Sequence, residues 1–301
     1  MNPALPDTPC YLNGEWTPVN QARVSVLDRG FILGDGVYEV VPVYEGRLFR
    51  VDDHLARLDR SLAKVQIPNP HDRLGWLALM RELVQRVQTH TASAEQLLYL
   101  QITRGVAMRD HVMLPGLTPT VFMMSQPTKP PGAELRHHGV AAVTARDFRW
   151  ERGDIKSISL LGNVLARQIA TEQGAVEALL LREGPHGVAY VTEGASSNAW
   201  IVHEGALLGV PGSEHVLEGI RIGLLQELCQ EEGIAFNRRP ISEGELRAAD
   251  EVLVSSAGRE LLAVTRLDGE PVGHGAGRGK PGPVFARLFE AYQRAKRTQS
   301  V

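Results

Sequence analysis

Cysteine is scarce in this sequence. Only Cys10 and Cys229 occur among 301 residues, too few for a disulfide framework, and neither has neighbours at metal-ligand spacing. The sequence therefore predicts no metal site, and a reducing, cytoplasmic setting is expected. Residues 1–7 contain neither a basic region nor an apolar core, so a secretory signal is not expected.

An excess of positive charge is also missing. The chain has 32 lysines and arginines against 35 aspartates and glutamates, and its formal net charge is −3. Nucleic acids and anionic membranes bind concentrated positive surfaces, so neither is expected as the main partner. No apolar run approaches the roughly 20 residues that cross a bilayer. A small-molecule ligand is expected instead.

The length and the pattern of elements predict two α+β domains. A chain of 301 residues exceeds most single cores, and strands and helices alternate too unevenly for one regular parallel sheet. The proline-rich segment 126–132 is the best candidate for a linker. We therefore expect a small N-terminal domain over residues 1–125, the linker at 126–132, and a large C-terminal domain over residues 133–301.

Local signals predict several individual elements. The Asn13-Gly14 pair is typical of a tight hairpin turn. An apolar pattern at helical spacing follows Asp52 and Asp53, so one of these aspartates is expected to cap a helix. Further helices are predicted over 161–172 and over 220–232.

One lysine stands in an apolar setting. Lys156 lies within residues 153–163, GDIKSISLLGN, at the approach to a predicted helix. An amine that attacks a carbonyl must be held partly as the neutral base, which requires a desolvated site or a nearby positive charge. The apolar residues of this run, Leu160 and Leu161 among them, are expected to supply that surrounding. The alternative is an ordinary solvated lysine.

A carboxylate and an anion site would complete the chemistry of such a lysine. If Lys156 forms a Schiff base with pyridoxal phosphate, a carboxylate must keep the pyridine nitrogen protonated, and Glu193 is suited to that role. The planar fork of Arg57 suits a phosphate. Their alternatives are a turn carboxylate that faces water and a surface salt-bridge partner of Asp53 or Asp59.

Backbone groups offer a second way to hold a phosphate. Gly219 stands directly ahead of a predicted helix, whose first N–H groups can bind an anion. The pair Ser256-Ala257, after an apolar strand, could complete such a cup. In a separate loop, Arg109 and His111 suit a substrate carboxylate. The alternative is a solvated polar loop with an internal Arg109–Asp110 pair, which the same sequence would allow.

Taken jointly, these motifs resemble, in their residues and in their order, those of the fold-type IV pyridoxal-phosphate enzymes, and within them those of the D-amino-acid aminotransferases. The likeness covers nearly the whole chain. It is carried by residues 28–31 (DRGF), 34–40 (GDGVYEV), 54–58 (HLARL), 154–157 (DIKS), 192–198 (TEGASSN) and 219–221 (GIR).

The resemblance implies pyridoxal 5'-phosphate as cofactor and assigns roles to matching residues. The lysine at the position of Lys156 is bonded to the cofactor and shuttles a proton between the substrate Cα and the cofactor. The match to Glu193 pairs with the ring nitrogen, and the match to Arg57 holds the phosphate. The phosphate site is completed at the positions of Gly219, Ile220, Arg221, Ser256 and Ala257. A homodimer with active sites near the subunit interface is also implied.

The substrate residues favour one branch of the family. Tyr38, Arg109 and His111 match the trio that binds the substrate α-carboxylate in D-amino-acid aminotransferases. The resemblance thus implies transfer of an amino group from a D-amino acid, such as D-alanine, to a 2-oxo acid, such as 2-oxoglutarate. The alternatives are aminodeoxychorismate lyase, then a branched-chain aminotransferase, which usually has Phe-Glu-Gly at positions 38–40, and outside the class a non-catalytic binding protein.

Two departures from the family pattern fall at the phosphate site. Glu218 stands where the family commonly has proline, and Ala257-Gly258 replace residues that often carry hydroxyl groups. Both departures bear on the affinity for the cofactor and not on its identity.

Overall fold

The computed structural model describes residues 5–301. Their contacts form two compact units. The first comprises residues 5–129 with Ile155–Ser159 and Lys296–Val301, and the second comprises Pro130–Asp154 with Leu160–Ala295. Each unit contains helices and a sheet, which confirms the predicted α+β class. The boundary at 126–132 stays a prediction, and the units differ from the predicted domains in that the segment of Lys156 groups with the first.

The first unit is built from short helices and an antiparallel sheet. Its strands are β1 (Pro9–Leu12), β2 (Glu15–Pro18), β3 (Gly36–Tyr44), β4 (Arg47–Leu48), β5 (Gln96–Thr103) and β6 (Thr120–Pro127). Its helices are α1 (Arg29–Leu33), α2 (Val51–Lys64) and α3 (Arg73–Thr91). The strands lie in the order β2-β1-β6-β5-β3-β4.

The core of the first unit lies between this sheet and two amphipathic helices. Leu58 and Leu62 of α2 and Met80 of α3 are at most 2% exposed, and they belong to one buried cluster with Val41 and Leu98 of the sheet. Burying a side chain of this size contributes about 1.5–3 kcal/mol. The cluster fixes α2, and with it His54 and Arg57, against strand β3.

The hairpin prediction is confirmed and the cap prediction is wrong. Asn13 and Gly14 both have positive φ, 50° and 99°, as the turn between β1 and β2 requires. Helix α2 is capped by neither Asp52 nor Asp53, which lie inside its first turn. Its N-cap is Arg50, in the left-handed conformation and without a side-chain cap hydrogen bond.

Two segments far along the chain join the first sheet. Ile155–Ser159 runs beside the start of β3, where Tyr38 N donates to Lys156 O at 3.0 Å and Ile158 N donates to Gly36 O at 3.1 Å. Residues 299–301 pair with residues 48–50, since Leu48 and Val301 exchange two hydrogen bonds of 2.9 Å. Lys156 is therefore held by strand pairing and not by a free loop.

The second unit is built around a mixed sheet. Its strands are β7 (Val140–Arg146), β8 (Glu177–Glu183), β9 (Ala189–Gly194), β10 (Asn198–His203), β11 (Ala206–Gly209), β12 (Phe236–Arg238), β13 (Glu251–Ser256), β14 (Glu260–Leu267) and β15 (Glu270–Pro271). The helices that begin in it are α4 (Ala133–His138), α5 (Leu161–Glu172), α6 (Ile220–Glu231), α7 (Glu243–Arg247) and α8 (Pro283–Thr298).

The order in this sheet is β12-β11-β10-β13-β14-β7-β8-β9, with β15 on β14. Strands β7 and β8 run parallel, and α5 connects them. Apolar clusters cover the sheet, and α5 contributes Ala166 and Ala170 to the one that contains Leu180. Over residues 5–301, no helix combines the length and the apolarity that a membrane crossing needs.

Several predictions for the second unit are confirmed. The helix predicted over 161–172 has those bounds, and α6 begins directly after Gly219, which is its N-cap. The first two residues of the proline-rich segment belong to strand β6, which ends at Pro127, where it still pairs with Gln96. Helix α4 begins directly after the segment, at Ala133, where no helix was predicted.

Candidate functional site

Lys156 lies beside Tyr38 in the first unit. The pairing with β3 places the Lys156 Nζ atom 4.2 Å from the centroid of the Tyr38 ring, within the range of a cation–π contact. On the other side, Lys156 N donates to Ser61 Oγ of α2 at 3.3 Å. The side chain is half-buried, so the amine has an aromatic neighbour and remains accessible.

The surrounding of Lys156 is only partly as expected. Ile155 is 7% exposed and belongs to the core of the first unit. Leu161 is 72% exposed, so the expectation that it desolvates the lysine is wrong. It occupies the first position of α5, on a side of the helix that is turned to solvent.

Arg57 is buried and paired with Glu39 of strand β3. Its Nε and Nη2 atoms donate to the two carboxylate oxygens of Glu39, each at 2.8 Å, and His54 Nδ1 lies 2.7 Å from Glu39 Oε2. Burial raises the pKa of Glu39, but Arg57 and His54 outweigh it and hold that pKa far below its usual range. Arg57 is thus no surface partner of Asp53 or Asp59, because it is buried against Glu39.

Arg109 and His111 lie in the irregular loop 104–119 between β5 and β6, and both are exposed. Over the described chain, no ion pair joins Arg109 to Asp110, and no hydrogen bond joins Arg109 or His111 to Tyr38. The carbonyl of Asp110, between the two residues, accepts a hydrogen bond from Arg29. The loop is therefore anchored at that point.

Glu193 lies at the end of β9 in the second unit and is buried. One carboxylate oxygen accepts a short hydrogen bond from Arg149 Nη1, and the other accepts one from Leu217 N at 3.2 Å. Arg149 in turn binds Asp147 through Nε at 3.0 Å and Nη2 at 2.9 Å. Glu193 is thus not a solvated turn residue, since a buried cation and a backbone amide hold it.

Charge is closely balanced around Glu193. Burial lowers the pKa of Arg149, but the Asp147 hydrogen bond and the Glu193 charge outweigh it and raise that pKa above its ordinary value. Burial raises the pKa of Asp147, and the contacts with Arg149 and Thr192 bring it below its ordinary value. Arg149 and Asp147 are therefore both charged near neutral pH.

The start of α6 is shaped for close approach. A Cβ at Gly219 would collide with Asn198 Oδ1, so any other residue there would displace the Asn198 side chain. Asn198 Nδ2 donates to Leu217 O at 3.1 Å and fixes the segment that leads into the helix. The Arg221 side chain is buried and faces the Tyr292 ring.

Ser256-Ala257, the other segment predicted to contact a phosphate, lies at a tight turn. Strand β13 ends at Ser256, which pairs with Glu260, so Ala257 sits in the turn between β13 and β14. Ser256 Oγ accepts a hydrogen bond from Arg259 N at 3.3 Å. Glu218, which stands where the family commonly has proline, pairs with Arg238 of the same unit. The distance from Arg238 to the Glu218 carboxylate is 3.5 Å.

Sequence reasoning missed four buried residues that support the predicted ones. Glu39 and His54 lie inside two of the motifs, but nothing in the local pattern showed that they pair with Arg57. Asp147 and Arg149 lie outside every motif. Their only signal is a run of alternating charges ahead of Lys156. Between residues 5 and 301, no three His, Cys, Asp or Glu side chains are grouped to hold a metal ion.

Comparison with known proteins gives a consistent result. The profile of the family described as Amino-transferase class IV matches residues 36–267. The D-alanine aminotransferase of Bacillus licheniformis is 38% identical over 281 residues, which cover 93% of this chain and 94% of the relative. The D-alanine aminotransferase of Staphylococcus aureus (strain MW2) is 37% identical over 292 residues, 97% of this chain and 99% of the relative.

A solved structure shares the fold. A hypothetical aminotransferase from Mycobacterium tuberculosis, in its PLP-bound form, superposes with a TM-score of 0.81 and 24% identity. The alignment covers 96% of this chain and 98% of that one. At this identity the likeness bears on the fold alone.

Proposed function

We propose, on the premise that the chain belongs to the class IV aminotransferase family, that it transfers the amino group of a D-amino acid to a 2-oxo acid. The chain is a pyridoxal-phosphate-dependent aminotransferase, as the family implies. D-Alanine is the proposed donor and 2-oxoglutarate the proposed acceptor. The observation that carries the proposal is the likeness, along nearly the whole chain, to two D-alanine aminotransferases.

The residues present fit pyridoxal phosphate in their chemistry. Glu193, held in place by Arg149 and the amide of Leu217, suits a protonated ring nitrogen. The first backbone amides of α6, which follow its N-cap Gly219, are suited to a phosphate. Arg57, Ser256 and the amides of Ile220, Arg221 and Ala257 would hold the phosphate, and Lys156 Nζ would join the aldehyde carbon. When bound, the cofactor withdraws electrons from the substrate Cα and makes its hydrogen acidic.

The chain's own residues then handle the proton and the substrate. With the cofactor in place, Lys156 Nζ would take the proton from the substrate Cα and deliver it to the cofactor carbon C4′. The Tyr38 ring limits the positions of that amine from one side. Arg109 and His111 bind the substrate carboxylate, together with Tyr38. The acceptor oxo acid uses the same groups in the reverse order, which gives ping-pong kinetics.

A homodimer is part of the proposal. Segments 24–31 and 106–113 of the first unit are joined by a bridge between Asp28 and Val106. They expose large apolar side chains, among them Phe31 at 70% and Met108 at 76%. Contiguous exposed apolar surface of this kind is typical of protein–protein contacts. A cytoplasmic setting is proposed as well, and it accords with two buried cysteines that are both free.

A single-turnover experiment tests the reaction. The purified protein, loaded with pyridoxal phosphate, is mixed with D-alanine or L-leucine without an oxo acid. D-Alanine should convert the absorbance of the bound cofactor to that of pyridoxamine phosphate, and L-leucine should not. A response to L-leucine alone would contradict the proposal, and an unchanged spectrum with release of pyruvate from aminodeoxychorismate would favour the lyase.

The lysine is tested by a matched pair of variants. Lys156→Ala should lose both the absorbance of the lysine-bound cofactor and turnover. Lys129→Ala removes an exposed lysine of the same unit and should change neither. Substantial turnover by Lys156→Ala would show that another group carries the amine chemistry.

A further inference from the structure

The motif at residues 28–31 has no role in the proposed chemistry, yet one of its side chains is almost completely buried. Arg29 is 2% exposed. Its Nε donates to Asp35 Oδ2 at 2.8 Å, and its Nη1 donates to the carbonyl of Asp110 at 2.6 Å. Asp110 is the residue between Arg109 and His111. The guanidinium therefore holds the loop 104–119 at the point where the two proposed substrate-binding side chains emerge.

The base of the same loop is fixed by the same motif. Arg29 N donates to Gly105 O at 2.9 Å. Asp28 caps α1 through Gly30 N at 2.8 Å, and its second oxygen accepts from Thr103 Oγ1 at 3.1 Å. The motif thus contacts the loop at its root and near its middle, across 16 residues that form no helix or extended strand.

Gly105 contributes to this arrangement because no other residue fits. Its φ is +105°, and a Cβ there would collide with the carbonyl oxygen of Thr118, at the far side of the loop. The two ends of the loop are therefore in close contact. Beyond them, residues 106–113 are mostly exposed. Within the chain, the bond from Arg29 to Asp110 and the bond from Ala107 N to Leu27 O, 3.3 Å, restrain this part of the loop.

A second buried arginine, Arg104, is the first residue of the loop and shares the carboxylate, but its side chain does not bind Asp110. Arg104 binds Asp35 through Nε at 2.7 Å, and its Nη2 and Nη1 donate to the carbonyls of Val65 and Gln66 at 2.6 and 3.0 Å. Burial raises the pKa of Asp35, but the two arginines outweigh it and bring that pKa below its ordinary value. Asp35 is therefore a fixed anion that orients both guanidinium groups.

From these contacts we infer that Arg29 is a positioning residue for the recognition of the substrate carboxylate. It acts through the Asp110 carbonyl and presents Arg109 and His111 in one conformation. Without it the loop has to be ordered by each substrate, and that ordering lowers affinity. The inference rests on the proposed function, because it takes Arg109 and His111 as the carboxylate-binding pair.

The test uses the holoenzyme and the variant Arg29→Lys. Lysine can keep an ion pair with Asp35 but lacks the fork that also reaches Asp110. The KM for D-alanine and the inhibition constant of propionate, which has a carboxylate and no amine, should both rise roughly tenfold. The rate of the D-alanine half-reaction at saturation should stay within about twofold, since the amine chemistry is untouched. The absorbance of the bound cofactor should not change.

Arg104→Lys is the matched control. It removes an equally buried guanidinium from the same carboxylate, but the carbonyls it releases are those of Val65 and Gln66. Its melting temperature should fall, while its KM for D-alanine and its inhibition by propionate should match those of the wild type. If Arg29→Lys yields no folded protein, Asp28→Asn is measured instead. This change weakens the bond between Asp28 and Thr103 at the start of the same loop, and it should raise the KM for D-alanine and the inhibition constant of propionate by a smaller factor.

The outcomes separate the inference from the function on which it rests. Wild-type constants in Arg29→Lys, or an equal rise in Arg104→Lys, would overturn the positioning role. Arg109→Gln is measured alongside, and it should raise the propionate constant at least as much as Arg29→Lys. If wild-type protein failed to use D-alanine, or Arg109→Gln bound propionate normally, the proposed function would fail at that point instead.

Discussion

Replacing Arg149 by methionine should destabilise the second unit, because its guanidinium is shared by two buried carboxylates. The side chain of Asp147 is 0% exposed and that of Glu193 is 9% exposed. Methionine keeps an unbranched apolar stem, so the change removes the charge and its hydrogen bonds with little change in packing.

The magnitude follows from what remains in place. Removal of one partner from a buried ion pair costs about 3–5 kcal/mol. Asp147 keeps Thr192 Oγ1 at 2.8 Å and Arg182 at 3.6 Å, and Glu193 keeps the amide of Leu217. The free energy of unfolding should therefore fall by about 3 kcal/mol, the lower end of that range. For a unit of this size the melting temperature should drop by about 6–12 °C.

The loss should depend on pH. Burial raises the pKa of Asp147, but the contacts with Arg149 lower it by more. The pKa therefore lies below its ordinary value in the folded chain. A carboxylate of this kind contributes stability above its unfolded pKa, about 3.9, and that stability is lost as the pH falls through the folded value. The difference between the wild type and Arg149→Met should be full at pH 7 and shrink below about pH 4.

Thermal melts of the cofactor-free proteins at several pH values measure both effects. Arg152→Met is the control, because Arg152 is half exposed and pairs with Asp154 at 3.3 Å. It should change the free energy of unfolding by less than about 1 kcal/mol. A drop in melting temperature no larger than that of the control, or one that is equal at pH 3 and pH 7, would refute the reasoning.

The remaining predictions concern buried groups. Glu39→Gln should lower the free energy of unfolding by about 3–5 kcal/mol, because Arg57 is left as a buried cation, and it should weaken cofactor binding in a titration. Asp52→Asn, at an exposed pair on α2, the helix that carries Arg57, is its control. Equal melting curves for the two variants would contradict the prediction. Burial raises the pKa of the Cys229 thiol to about 12 and also raises that of Cys10. A disulfide reagent at pH 8 should therefore label neither thiol until the chain unfolds, and rapid labelling of either would show an accessible site.

Elements with a local physical cause could be predicted from the sequence. The Asn13-Gly14 turn depends on two adjacent residues that tolerate positive φ, and the helix at 161–172 depends on its own periodicity. The cap of α2 was predicted wrongly because its cause is not local. Arg50 takes the left-handed conformation, and its side chain binds Asp53 and also Gln299, 249 positions away.

The same distinction applies to the candidate site. The residues of the motifs predicted Lys156, Glu193 and Arg57 together as parts of one site. Their buried partners could not be predicted, because Glu39 lies 18 residues from Arg57 and Arg149 lies 44 residues from Glu193. No period or turn signal links such pairs. Only the packing of strand β3 against α2, and the fold of the second unit, bring each pair into contact.

The strand-like pairing of Lys156 restricts how its amine can move. Its carbonyl oxygen is bound by Tyr38 N and its amide by Ser61 Oγ, so the Cα atom is held from two sides. Travel of the amine between successive positions is then left to rotation of the side-chain torsions, which takes picoseconds to nanoseconds in accessible residues. Such motion is far faster than typical turnover, about 10 per second. Reorientation of the proposed catalytic lysine should therefore not limit the rate of the enzyme.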